Sequence, residues 1–138
     1  MTSFPRNRYD PDEFLRGYNN SPVQFDGGTW CVSFTITHPD SDEMTIWFPG
    51  TVRPDECALR LGREICVKIA QLDNLVQDSC ESEFQTYKHD VTNYDLYLAY
   101  IKITESTASL EYFGTIVNTQ WTAVFKRNES GDWLPENF

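Results

Sequence analysis

A chain of 138 residues, 40% hydrophobic and 14% aromatic, is long enough for one real core and too apolar to be a disordered segment. Its formal charge of −10 and pI near 4.5 argue against nucleic acid or an anionic membrane as a direct partner, since both reward Lys and Arg. The same charge suits solubility, and it suits a basic protein partner, because opposite fields steer association. No stretch approaches the ~20 apolar residues that a membrane span needs, and the opening MTSFPRNRYDPDEF lacks the apolar segment of a signal peptide. The expectation is a single soluble domain over residues 1–138, cytoplasmic, with an irregular N-terminal arm (1–28) and an α+β body (29–138).

In the arm, Pro5, Pro11, Pro22, Gly17, Gly27, Gly28 and the run Asn19-Asn20-Ser21 favour irregular chain. Asp10 can cap one helical turn over Asp12 to Arg16, and Phe14 and Tyr18 are the anchors to the body. Trp30 to Thr37 alternates, with Trp30, Val32, Phe34 and Ile36 on one side and Cys31, Ser33, Thr35 and Thr37 on the other, which is a strand with one buried face. HPDSDE (38–43) is a turn by composition. The return strand runs from Met44 to Phe48, with Met44, Ile46 and Phe48 inward and Trp47 facing outward or covering a sheet edge.

The longest periodic stretch begins at Pro54. Ala58, Leu61, Ile65, Ile69, Leu72 and Val76 follow at steps of three or four, and Leu59 and Cys66 widen this apolar stripe. Pro54 suits the first turn, and Asp55 and Glu56 suit the positive end of the helix dipole. At ~1.5 Å per residue the helix to Leu72 is roughly 28 Å long. Asp73 can cap a second helix in which Val76, Cys80, Phe84 and Tyr87 keep the spacing. Two segments, or one helix kinked near Asp73, are expected, followed by a loop over HDVTNYD (89–95).

Leu96 to Thr104 is apolar on both faces, as in a central strand under the helix. Glu105 to Ala108 is a turn, Ser109 to Phe113 a strand, Gly114 to Thr119 a bend. Gln120 to Lys126 is a strand with Trp121, Ala123 and Phe125 on one side. RNESGD (127–132) is a hairpin turn in which Gly131 takes positive φ, and Trp133-Leu134 begins a short last strand. The order is ββ-α(α)-ββββ: an antiparallel sheet of about five to six strands with a long helix, straight or kinked, packed on one face.

The residues offer little chemistry. Only His38 and His89 are available as bases, each beside a turn, so no nucleophilic triad is expected. Asp40, Asp42 and Glu43 lack the spacing of a calcium loop and read as a solvated turn. Cys31, Cys57, Cys66 and Cys80 form no C-x-x-C pair and read as free thiols. No phosphate-binding glycine motif occurs, so no cofactor or metal is expected, and no enzyme. Charge is uneven. From Asp73 to Asp95 six acids face one lysine, a net −5 and half of the chain's excess. Arg53, Arg60, Arg63 and Lys68 precede them on the first helix. Acids interleaved with tyrosines make a protein-binding surface, so the candidate contacts are Asp73, Asp78, Glu81, Glu83, Tyr87, Asp90, Tyr94 and Asp95. Reversing charge at Glu81 and Glu83 then weakens a complex, and the fallback interface is the His38–Glu43 turn.

Residues 109–133, SLEYFGTIVNTQWTAVFKRNESGDW, resemble a pattern of small acidic bacterial proteins through Leu110, Glu111, Tyr112, Gly114, Val117, Asn118, Trp121, Phe125, Gly131 and Trp133. The helix ALRLGREICVKIAQLDNL is similar to the one that precedes the pattern there. Several such proteins are immunity proteins of polymorphic or contact-dependent toxins. The resemblance implies an immunity protein that occludes the C-terminal toxin domain of a cognate partner, often a basic nuclease, with no turnover. The competing reading is a small-molecule-binding or enzymatic α+β domain with an aromatic pocket from Trp30, Trp47, Tyr100 and Trp121. A homodimer without a toxin partner is the third.

Overall fold

The computed structural model describes residues 6–86, 96–114 and 120–138, with backbone alone for 84–86. Nine elements follow in the order α1 (Pro11–Asn19), β1 (Val23–Asp26), β2 (Thr29–Thr35), β3 (Glu43–Phe48), α2 (Glu56–Thr86), β4 (Leu96–Ile103), β5 (Thr107–Gly114), β6 (Gln120–Arg127) and β7 (Trp133–Pro135). The class is α+β. The sheet has seven strands in the sequential order β1-β2-β3-β4-β5-β6-β7, with every neighbouring pair antiparallel except β3 and β4. That one parallel pair follows from α2, which carries the chain back along the sheet before β4 begins.

Residues 6–28 are not an irregular arm. Asp10 caps α1, its carboxylate accepting from the Asp12 N–H at 3.0 Å, and Phe14 and Tyr18 are buried as anchors. The helix runs two turns rather than one because Pro11 and the acids of the first turn favour its start, and Phe14 and Tyr18 give it a face to bury. The unexpected strand β1 is short, with mostly exposed side chains, which hides it from periodicity. Gly27 (φ 59°) and Gly28 (φ 87°) make the two-residue turn that pairs it with β2, Asp26 opposite Thr29.

The helix α2 is continuous through Asp73, where a second start was expected. Its N-cap is Asp55, which accepts from the Ala58 N–H at 2.9 Å, so Pro54 lies just outside the first turn. The expected stripe is the core: Leu61, Ile65, Cys66, Ile69, Leu72, Val76 and Cys80 are buried. They meet Val32, Phe34, Met44, Ile46, Phe48, Leu98, Ile101, Leu110, Tyr112, Ala123 and Phe125 from the sheet. In β4 the register shifts between Leu98 and Tyr100, so that Tyr97, Tyr100 and Lys102 share the face away from the helices. The link between β4 and β5, Thr104 to Ser106, is one residue shorter than the expected turn, closed by the Thr104 N–H on the Thr107 carbonyl at 2.9 Å. Gly131 has φ 86° as expected, and the bend at 115–119 and the loop at 89–95 lie outside the described residues.

α1 crosses α2 at Gly62. A Cβ there would lie 2.8 Å from Cζ of Tyr18 and closer still to its hydroxyl, which donates to the Leu59 carbonyl at 2.8 Å. Alanine is the better helix former by about 1 kcal/mol, but the buried ring would have to move and give up its hydrogen bond. Gly62→Ala is therefore expected to destabilise the fold by about 1–3 kcal/mol, read from the urea midpoint. A rise in midpoint would show that the helix pair tolerates spreading.

Candidate functional site

Asp73 stands at the middle of α2 with a fully buried carboxylate. The segment before α1 reaches it. Arg8 places Nε 2.9 Å from Asp73 Oδ2 and Nη2 3.2 Å from Oδ1, and also donates to the Leu96 carbonyl. The Tyr112 hydroxyl donates to Oδ1 at 2.7 Å and the Gln77 amide at 3.3 Å. Burial would lower the basicity of Arg8, but the charge and hydrogen bonds of Asp73 outweigh it and raise the guanidinium pKa. Burial, with the Asp73 charge, pushes the Tyr112 hydroxyl well up. Satisfied this way, Asp73 has no reason to cap a new helix, which is why α2 does not break there.

The same segment runs along the next turns of α2. Asn7 (φ 53°) and Asn74 exchange hydrogen bonds, the Asn7 N–H and the Asn74 amide each donating at 2.9 Å. Arg6 donates to Asp78 at 2.9 Å and to Glu81 at 2.7 Å. Tyr9 accepts from the Leu98 N–H at 2.8 Å, fastening the segment to the sheet as well.

Of the expected contact residues, Asp73 is not at the surface: it is sealed in the interior and cannot meet a partner. Asp78 and Glu81 are on the surface side of α2 but engaged by Arg6. Glu83 is exposed. Tyr87, Asp90, Tyr94 and Asp95 lie outside the described residues. Composition counted the acids of 73–95 but gave no hint that Arg6 and Arg8, some seventy residues earlier, answer three of them.

A second group of acids is brought together with no ion pair among the described residues. The Glu13 carboxylate accepts from Thr37, from its N–H at 2.8 Å and its hydroxyl at 2.9 Å, while Tyr9 stacks on His38 at 5.0 Å. These contacts set the first turn of α1 against the β2–β3 turn, with Asp10, Asp12, Asp40, Asp42 and Glu43 all exposed. Among the described residues, the acids that form ion pairs (Glu56, Glu64, Asp73, Asp78, Glu81) all belong to α2. The acids of this corner form none. Arg8 is turned away into Asp73, and Arg16 lies one turn further along α1.

The expected aromatic pocket divides. Trp30 and Trp121 pack against the core on the helix side, whereas Trp47 and Tyr100 line a groove of about 630 Å³ on the open face. Asp26, Gly27, Thr29, Pro49, Gly50 and Lys102 complete it. Thr29 holds the groove's rim, its hydroxyl donating to the carbonyls of Phe48 (2.9 Å) and Gly50 (3.1 Å). Among the described residues no group of three or more His, Cys, Asp or Glu side chains could hold a metal. The buried thiols of Cys66 and Cys80 are pushed up to about 12 by desolvation, which leaves them unreactive as nucleophiles near neutral pH. No helix of the described residues is long and apolar enough to cross a membrane. No protein family matches the chain, no curated protein matches its sequence and no solved structure matches its fold.

Proposed function

We propose that the chain binds a basic protein domain and neutralises it by occlusion, as an immunity protein does with its cognate toxin. The observation that carries this reading is the division of its acids. Five of the six acids on α2 are answered by the chain's own arginines, Glu83 being the exception, and among the described residues those at the α1–β2/β3 corner face solvent in no ion pair. In a protein of charge −10 such a corner attracts a basic surface from a distance and selects against acidic ones. If the partner is a nuclease, Asp10, Asp12, Asp40, Asp42 and Glu43 stand in for the phosphates of its substrate, and inhibition needs no chemical step. The resemblance in residues 109–133 supports the toxin as the kind of partner.

Affinity capture with the purified chain from a lysate of its source organism tests this. The expected result is one dominant protein with a basic C-terminal domain, lost when salt is raised from about 50 to 500 mM, since exposed charges are then screened beyond a few Å. That domain, expressed alone, should be toxic and made harmless by co-expression of this chain. A partner that is acidic, or held equally well at both salts, would defeat the reading.

A further inference from the structure

The helices cover one face of the sheet only. Trp47, Tyr97, Tyr100 and Phe113 lie side by side on the other, all half-buried, with Phe113 6.3 Å from Tyr97 and 6.4 Å from Tyr100 between ring centroids. Aromatic side chains of this kind are what interface centres are made of. The strand registers also place Ser33, Thr45, Ser109 and Thr122 on this face. Glu111 is there too, but buried, accepting from the Thr122 hydroxyl at 2.6 Å.

Charge identifies the occupant. Lys102 and Lys126 share the face with Asp26, Glu43 and the covered Glu111, so it is nearly neutral, and almost all of the chain's −10 lies elsewhere. Two copies brought together at the acidic corner would repel, and at this face they would not. Asp26 on β1 and Lys102 on β4 both line the groove, and among the described residues neither is in an ion pair. A two-fold axis through the face lets Asp26 of each copy meet Lys102 of the other, the reciprocal contact that a symmetric interface requires. The 44 residues of the seven strands, at ~3.3 Å rise and ~4.8 Å between strands, present on the order of 700 Å² per copy. Two such faces reach the ~1,200–2,000 Å² of a stable interface.

We propose that the open sheet face is a homodimer interface, two sheets packed face to face with the helices outermost. Asp10, Asp12, Asp40 and Asp42 of the α1–β2/β3 corner sit at the far end of β2 and β3 from the groove, so the dimer leaves them free in both copies, with Glu43 at the edge of the covered face. The proposal stands apart from the proposed function and does not need it.

Sedimentation of the purified chain between about 1 and 200 μM tests it. The expected result is a dimer. Trp47→Ser with Tyr100→Ser should raise the dissociation constant at least 100-fold while leaving the helical circular dichroism unchanged. Asp26→Lys and Lys102→Asp alone should each raise it about tenfold, and together restore it, which holds whether or not the tryptophan variant folds well. A monomer at 200 μM overturns the proposal. So does a dimer indifferent to Asp26 and Lys102, or one broken only at the sheet edges by changes at Phe25 or Leu134. Loss of protein capture in a Trp47 variant of a monomeric chain would assign the face to a different partner and overturn it equally.

Discussion

Arg8→Ala is expected to destabilise the protein by about 3–5 kcal/mol, a large share of the 5–15 kcal/mol by which domains of this kind are stable. The Asp73 side chain is 1% exposed and that of Arg8 8%, so water cannot replace the guanidinium. What remains around the carboxylate is the Tyr112 hydroxyl and the Gln77 amide, two neutral donors for a full negative charge. Breaking such a pair costs far more than the pair contributes, because the surviving charge keeps its desolvation penalty. The converse change separates this account from simple loss of contact. Removing both charges and the hydroxyl that would lose its acceptor, Arg8→Met with Asp73→Leu and Tyr112→Phe, should recover most of the loss. Urea unfolding of the three proteins, followed by circular dichroism, reads both effects. An Arg8→Ala protein within 1 kcal/mol of the wild type would mean that the ion pair is wet.

A larger effect is expected at Ile65. It is fully buried at the centre of α2, under the sheet and with no cation near it on the helix's inner face. Ile65→Asp buries an unpaired carboxylate and removes a core side chain, and the combined cost exceeds the stability of the domain. The variant should show no cooperative thermal transition. Val67→Asp, two residues on and 53% exposed, should melt within a few degrees of the wild type. A cooperative melt for Ile65→Asp would mean that α2 is not the centre of the core.

Both expectations could be approached from the sequence to different depths. The stripe that contains Ile65 is visible as periodicity alone, because a helix laid on a sheet must repeat its apolar residues every three or four positions. The alternation in β2, β3 and β6, the outward Trp47 and the positive φ of Gly131 are legible for the same reason: they are local consequences of one buried face or one tight turn. Asp73 is not. Its preference for a helix N-cap is local, and what overrides it is a guanidinium from residue 8 and a hydroxyl from residue 112, neither of which spacing reveals. β1 was hidden by its length, although Gly27-Gly28 between Val23-x-Phe25 and Trp30-x-Val32 is a hairpin signal. The expected contact surface suffers in the same way. Counting charge along 73–95 locates the acids but not their partners, and the corner formed by Asp10, Asp12, Asp40 and Asp42 joins two stretches that composition treats separately.

The most direct test of the acidic corner is calorimetric titration of the captured basic domain, at about 50 mM salt, into variants reversed at each acidic surface. Asp40→Lys with Asp42→Lys should weaken binding at least tenfold and flatten its salt dependence. Glu81→Lys with Glu83→Lys should change affinity by no more than about twofold, since Glu81 is already engaged by Arg6. The opposite pattern, full affinity for the corner variant and loss for the helix variant, would contradict the account and return the interface to α2.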